Sequence, residues 1–261
     1  MRNLLPQVGV HIERQGAAIG AYLHNVDLSK PLDAAVFEVI SKALLDYQVI
    51  CLRNQHITPE QHLAFTRLFG EIQPVTSGMQ DYPEITEIKD HSLVAELWHT
   101  DTTHAACPPR IQVLAARLVP EFGSDLMFAD QLRAYELLSS AMQRMLASLR
   151  AVHRMTLKTG KVEENVHPVV RTHQATGRKA LFVNRQYTRR FDGMTEEESQ
   201  PLLEYLYRHG TQPFLTWRHY WRTGDVLIWD NASVQHLVVC DVPQESWRVL
   251  HRIITRGEVP F

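Results

Sequence analysis

The sequence predicts an α+β protein with a mainly antiparallel β core and flanking helices, and two observations lead there. Short extended runs gather in the middle and near the C-terminal end, while the helical stretches are separated from one another. Strands and helices do not alternate regularly. No G-x-G-x-x-G or G-x-x-x-x-G-K-[ST] is present, so nucleotide binding loses its usual sequence support.

The elements follow in order. Ala35 to Tyr47 places Val36, Val39, Ile40, Ala43 and Leu44 at helical spacing and runs into the β-branched segment Val49-Ile50-Cys51-Leu52, so a helix feeds a buried strand. Thr58-Pro59-Glu60-Gln61 is a capping box with proline at the first helical position, followed by Leu63, Phe65, Leu68 and Phe69 up to Gly70. Ile85 to Ile88 and Ile111 to Leu118 read as strands, and Leu132 to Leu149 reads as one helix. A second capping box, Thr195 to Glu198, opens a helix through Leu202, Leu203 and Leu206 to Gly210. The remainder is strand-like, with Trp217 to Arg222, Asp225 to Trp229 and Arg248 to Thr255.

Composition excludes several classes. In 261 residues, 27 Lys+Arg face 29 Asp+Glu, so the strongly basic footprint of a nucleic-acid binder is missing. No stretch of about 18 apolar residues suggests a membrane span, and Met1 to Val10 shows no export signal. Cys51, Cys107 and Cys240 are odd in number and unpaired in sequence, which fits a reducing cytoplasm and neither a disulfide scaffold nor a zinc knuckle. Glycines and prolines are scattered at turns with no linker among them, so residues 1–261 are expected to form a single domain.

The chemistry-bearing candidates are few. No G-x-S-x-G and no H-E-x-x-H occurs, which removes the usual support for serine hydrolysis and zincin chemistry. Trp98-His99-Thr100-Asp101 carries two ligand-type side chains two residues apart, which project from the same side of an extended segment. With 14 histidines, about one such H-x-D is expected by chance, and the ordinary reading is a solvated histidine beside a turn cap. A facial ferrous centre needs a third ligand, normally a second histidine, and leaves positions open for co-substrate and dioxygen. The candidate is His236, in Trp229-Asp230-Asn231-Ala232-Ser233-Val234-Gln235-His236, just beyond a strand.

Together with other blocks, these residues make the chain resemble the taurine dioxygenase family of iron(II)- and 2-oxoglutarate-dependent oxygenases. The blocks are Gln48 to Gln55, Ile57-Thr58-Pro59 to Glu71, Trp98 to Asp101, Pro108-Pro109, His167 to His173, Leu181 to Asn184, Trp229 to His236 and Arg248 to Arg252. The resemblance implies a double-stranded β-helix (jelly roll), with His99, Asp101 and His236 as iron ligands. It implies that Arg248 holds the far carboxylate of 2-oxoglutarate and that Arg252 takes an anionic group of the substrate. Arginine suits both tasks because its planar fork binds a carboxylate through two hydrogen bonds. The ordinary alternative for each arginine is a surface ion pair with Asp241 or Glu245. Gln73, Thr102 and Tyr187 fall where the family lines its substrate pocket, whereas His104, His167, His173 and His251 read as structural. The family's cofactor set is Fe(II), 2-oxoglutarate and O2, its substrate a small anion, and its assembly a dimer or tetramer.

Two positions depart from the family pattern. Gly123-Ser124-Asp125-Leu126 stands where the family has G-G-D-T, so the hydroxyl that supports 2-oxoglutarate is replaced by a leucine side chain. Ile72-Gln73 follows Phe69-Gly70-Glu71 where taurine enzymes place a sulfonate-binding histidine, which argues against taurine. The resemblance therefore implies hydroxylation, with or without cleavage, of another small anion such as a sulfonate or carboxylate. A desaturase, or a non-catalytic binding member that has lost 2-oxoglutarate, remains open. Asp101 argues against the halogenating sister type, which needs a small residue there.

Overall fold

The computed structural model describes residues 9–90, 97–157, 159–241 and 247–261. Strands β1 (His11–Arg14) and β2 (Ala21–His24) precede helix α1 (Ala34–Tyr47), strand β3 (Val49–Leu52), helix α2 (Pro59–Arg67) and strand β4 (Thr86–Asp90). Then come β5 (Ile111–Leu118), β6 (Leu126–Asp130), α3 (Gln131–Glu136), α4 (Ser140–Leu146), β7 (Arg150–Thr156), β8 (Val162–Pro168), β9 (Val170–Thr172), β10 (Lys179–Leu181) and β11 (Thr188–Phe191). Helix α5 (Glu196–Gly210), β12 (Thr216–His219), β13 (Val226–Asp230), β14 (Val234–Val238) and β15 (Arg248–Ile254) complete the chain.

Two layers form the core. The larger sheet runs β1-β2-β3-β13-β5-β15-β4 and the smaller β12-β6-β14, antiparallel throughout except for β2 beside β3. Strand alternation sends Val49, Cys51, Leu114, Leu227, Trp229 and Leu250 of the larger sheet toward Leu126, Phe128, Val234 and Trp217 of the smaller one. The opposite face of the larger sheet, with Ile50, Leu52, Val113, Val226 and Ile228, is covered by Ile40, Ala43 and Leu44 of α1 and Phe65 of α2. This sandwich is the expected double-stranded β-helix, a mainly β core with helices outside it. Among the described residues no helix is long and apolar enough to cross a membrane.

Local signals set the helix starts. Both capping boxes form: Thr58 Oγ1 accepts from the Gln61 backbone N–H at 3.3 Å while Gln61 Oε1 accepts from the Thr58 N–H at 2.8 Å, and Thr195 and Glu198 repeat the exchange. The single helix expected over Leu132–Leu149 is instead two short ones. Ser139 takes the Met142 N–H at 3.2 Å and starts α4 afresh, and the chain enters β7 at Arg150. His236, expected just beyond a strand, lies in the middle of β14.

Asp130 ends β6 and caps α3, its carboxylate accepting from the Arg133 N–H at 2.9 Å. Burial raises its pKa to about 6, with the Arg133 hydrogen bond opposing the shift. A carboxyl that binds its proton more tightly in the fold costs stability as pH rises from about 4 to about 6. Asp130→Asn keeps the cap, so it is expected to be neutral for stability near pH 4 and to stabilise by on the order of 2 kcal/mol at pH 7. Urea denaturation at the two pH values checks this, and an unchanged midpoint at pH 7 contradicts it.

Candidate active site

The chain brings His99, Asp101 and His236 together at one end of the sandwich interior. Their ligand-type atoms all lie within 4.8 Å of one another. The join is made first by backbone: His99 N–H donates to His236 C=O at 3.0 Å, and His236 N–H donates to His99 C=O at 2.7 Å. Thr100 Oγ1 donates to Val234 C=O at 2.7 Å, so the residue between His99 and Asp101 is bolted to β14. Asn231 fixes the next turn by accepting from the Asp101 N–H at 3.0 Å and donating to Asp101 C=O at 3.2 Å and Pro109 C=O at 2.9 Å. His99 is extended, but the chain turns at Asp101, and Thr102 is left-handed at φ 50°. Such a conformation in a β-branched residue is strained and persists only where the surroundings enforce it.

Side-chain geometry then presents a three-atom face. His99 Nδ1 pairs with Leu97 C=O at 2.8 Å, which fixes Nδ1 as the donor and leaves Nε2 as the lone pair. That Nε2 stands 3.3 Å from Asp101 Oδ1, and His236 Nε2 stands 3.9 Å from the same oxygen. Ligand bonds of about 2.1 Å at right angles place neighbouring donors about 3 Å apart, so a small closure completes a facial site. Burial pushes His236 down to about 3, reinforced by His99, and so keeps it neutral. Burial opposes ionisation of Asp101, but His236, His99 and Arg252 outweigh it and hold the carboxyl well below its usual range. Neutral imidazoles and an ionised carboxylate are the forms that bind metal. The donor set fits a ferrous ion, and nitrogen and oxygen ligands with open positions are its preferred environment.

The triad opens onto a cavity of about 110 Å³. Its polar wall is His99, Asp101, His236, Arg248 and Arg252, and its apolar wall includes Ile88, Leu114, Leu126, Trp229, Val238 and Leu250. The two arginines share one face of β15, as their four-residue spacing requires. Arg248 is 4% exposed and donates to Ser124 C=O at 2.9 Å. Arg252 is more open, with Nη1 3.3 Å from Asp101 Oδ2. Neither is the surface pair with Asp241, which binds Arg218 at 2.5 Å, and Glu245 lies outside the described residues. Leu126 on β6 stands in the same cavity wall as Arg248.

The remaining candidates lie around this cavity and are absent from its lining. Tyr187 packs edge-on to His99 and tilted against His104, at centroid distances of 6.1 and 5.1 Å. Gln73 is anchored through its backbone N–H to Ile254 C=O at 2.9 Å, beyond the end of the arginine-bearing strand. Thr102 follows the carboxylate, and its hydroxyl finds no hydrogen-bond partner among the described residues. His167 bonds Ala105 C=O, His173 pairs with Asp230 at 2.8 Å, and His251 faces Glu87, which are structural contacts.

Sequence reasoning passed over Thr100, Gln112 and Asn231. Gln112 had a visible signal, being the one uncharged polar side chain in the apolar run Ile111–Leu118. A second buried cluster, Cys51, His219 and Asp225, also has metal-type atoms within 4.8 Å of one another. There Arg53 Nη1 sits 2.5 Å from Asp225 Oδ2, so a guanidinium already holds the charge a cation would take.

Comparison with known proteins finds relatives across nearly the whole chain. Residues 11–254 match the family described as taurine catabolism dioxygenase TauD, TfdA family. An alkylsulfatase of Acinetobacter baylyi is 31% identical over 97% of this chain and 87% of its own length. An alpha-ketoglutarate-dependent sulfate ester dioxygenase of Pseudomonas putida is 32% identical over 93% of this chain and 88% of its own. A crystal structure of a taurine dioxygenase from Burkholderia xenovorans superposes with a TM-score of 0.90 at 36% identity, covering 96% of this chain and 92% of that one. With a matching family profile over residues 11–254 and relatives at 31% and 32% identity along most of its length, the chain belongs to the TauD/TfdA family of dioxygenases.

Proposed function

We propose that the chain is an Fe(II)- and 2-oxoglutarate-dependent dioxygenase acting on a small organic anion, with an alkyl sulfate ester or sulfonate as the best-fitting class. The observation that carries this reading is the presence of His99, Asp101, His236, Arg248 and Arg252 in the wall of one buried cavity. Bound iron with 2-oxoglutarate supplies the oxidation: one oxygen atom of O2 enters a substrate C–H bond, the other enters succinate, and CO2 leaves.

The protein's residues bind, orient and exclude water. His99, Asp101 and His236 hold the metal. Arg248 pairs with the far carboxylate of 2-oxoglutarate in a site that is nearly dry, where a charge-assisted fork is strongest. Arg252, beside Asp101, takes the substrate anion, and the family resemblance alone assigns Thr102, Tyr187 and Gln73 to its organic part, since none of them lines the cavity. Among the described residues lining the cavity the sole carboxylate is Asp101, which the metal uses, so no counter-ion is left for an ammonium group. That favours a simple alkyl anion over a zwitterion such as taurine. Hydroxylation of the carbon bearing a sulfate ester gives a hemiacetal-type product that collapses to an aldehyde and sulfate. A dimeric or tetrameric assembly in the cytoplasm belongs to the same proposal, and light scattering tests the assembly.

The test is oxygen uptake with succinate release during a screen of alkyl sulfates, alkyl sulfonates and taurine. Coupled turnover with an alkyl sulfate or sulfonate and little with taurine supports the reading. No succinate release with any of these anions contradicts it. Leu126→Thr is expected to lower the Kd for 2-oxoglutarate by about ten-fold, because a hydroxyl in the wall shared with Arg248 adds a hydrogen bond to a charged group. Calorimetric titration of the metal-loaded protein measures it.

A further inference from the structure

We propose that Gln112 is a positioning residue of the metal centre, holding one carboxylate oxygen of Asp101 so that the other alone is presented to the metal. The inference rests on the metal-site reading above. Gln112 sits on β5 between β13 and β15, level with Trp229 on one side and Ile254 on the other. It is fully buried, at 0% exposure, in a strand whose neighbours Ile111 and Val113 are core residues. A primary amide in such a place costs stability unless its hydrogen bonds serve a purpose.

Its bonds point to one. Gln112 Nε2 donates to Asp101 Oδ2 at 2.5 Å and lies 3.3 Å from Asn231 Oδ1. Chemistry fixes which end of the amide faces the carboxylate, since an ionised carboxylate only accepts and the same Asn231 oxygen already accepts the Asp101 N–H. The Gln112 Oε1 atom has no hydrogen-bond partner among the described residues, so the side chain keeps this orientation at the cost of an unsatisfied buried acceptor. Asp101 Oδ1, the other oxygen, is the one 3.3 Å from His99 Nε2.

The division of the carboxylate matters because a carboxylate bound through both oxygens would occupy two positions on the metal and close one needed by the other reactants. Arg252 Nη1 shares Oδ2 at 3.3 Å, but its side chain is 30% exposed and its Nε is unpartnered among the described residues. An arginine that turns to a substrate anion leaves Asp101, whereas Gln112, locked in the sheet, stays. A neutral amide also does this without adding a positive charge that would repel the metal.

The experiment is titration of the metal-free protein with Co(II), read by the visible ligand-field bands, in the wild type, Gln112→Leu and Gln112→Met. Loss of such an outer hydrogen bond is expected to raise the Co(II) Kd ten- to one-hundred-fold and to change band positions and intensities as Asp101 rebinds through both oxygens. Thermal midpoints of the metal-free variants are expected to fall, since the lost bond to Asp101 Oδ2 outweighs removal of the unsatisfied Oε1 acceptor, so the midpoint measures folding and the spectrum measures positioning. A purely structural role predicts the lower midpoint together with wild-type Co(II) affinity and an unchanged spectrum. Wild-type affinity and bands in both variants, or in Gln112→Met alone if Gln112→Leu does not fold, overturn the inference while leaving the metal site standing. A wild type that binds no Co(II) overturns both.

Discussion

His236→Ala is expected to remove iron binding, raising the metal Kd by more than about 1,000-fold and abolishing turnover, while the protein still folds. Two ligands two residues apart cannot span a facial site, and His236 is the residue that brings the third donor from the opposite end of the chain. The backbone exchange between His99 and His236 uses main-chain atoms and survives the substitution. What is lost in packing is the imidazole tilted against Trp229 and Phe128, at centroid distances of 5.1 and 6.0 Å, a loss on the order of 1–3 kcal/mol. Equilibrium dialysis with Fe(II) or Co(II) measures the first effect and thermal denaturation of the metal-free proteins the second. Metal binding within ten-fold of wild type contradicts the assignment.

Arg248→Ala has the next largest expected effect, a rise of roughly 100-fold or more in the Kd for 2-oxoglutarate with metal affinity unchanged. Arg248 is buried in the cavity wall and stabilised there by Ser124 C=O, so the carboxylate it meets exchanges water for a charge-assisted pair in a low-dielectric setting. Truncating one partner of such a pair costs about 2–5 kcal/mol. Arg248→Lys restores the charge without the planar fork and is expected to recover only part of the affinity. Equal affinity in the alanine variant would place the co-substrate carboxylate elsewhere.

How much of this was legible beforehand depends on the physical range of each signal. The helices starting at Pro59 and Glu196 announce themselves by capping boxes because a cap is a four-residue contact. The strand around Val49–Leu52 is legible because it is buried on both faces and therefore apolar throughout. By contrast β8 reads Val-Glu-Glu-Asn-Val-His-Pro, with partly exposed positions that blur alternation, and β14 reads Val-Gln-His-Leu-Val, where Gln235 is buried against Gln131 and Val183 and His236 faces the cavity. β14 owes its existence to β6, distant in sequence, so no local window reports it, whereas β8 folds back on β7 through a short turn and is hidden only by its polar composition. The break after α3 escaped notice because Ser139 resembles an ordinary helix residue until its hydroxyl is seen capping Met142.

At the site, the ligand residues were legible as side-chain types in recognisable blocks, but the turn at Asp101 was not. It depends on Asn231, 130 residues away in sequence, and on the positive φ of Thr102. The allocation of the Asp101 oxygens was likewise invisible, since Gln112 and Arg252 converge on Oδ2 only through the pairing of β15 with β5. Strand pairing, not sequence proximity, puts these groups together.

In the proposed reaction one cavity holds both iron and 2-oxoglutarate between the triad and Arg248. Anaerobic titration of the iron-loaded protein with 2-oxoglutarate, followed by the weak visible metal-to-ligand charge-transfer band, tests it most directly when wild type and Arg248→Ala are compared. A band that saturates in the wild type and requires about 100-fold more 2-oxoglutarate in the variant is the predicted result. No band at any concentration in the wild type, or the same titration curve in both proteins, would contradict the claim.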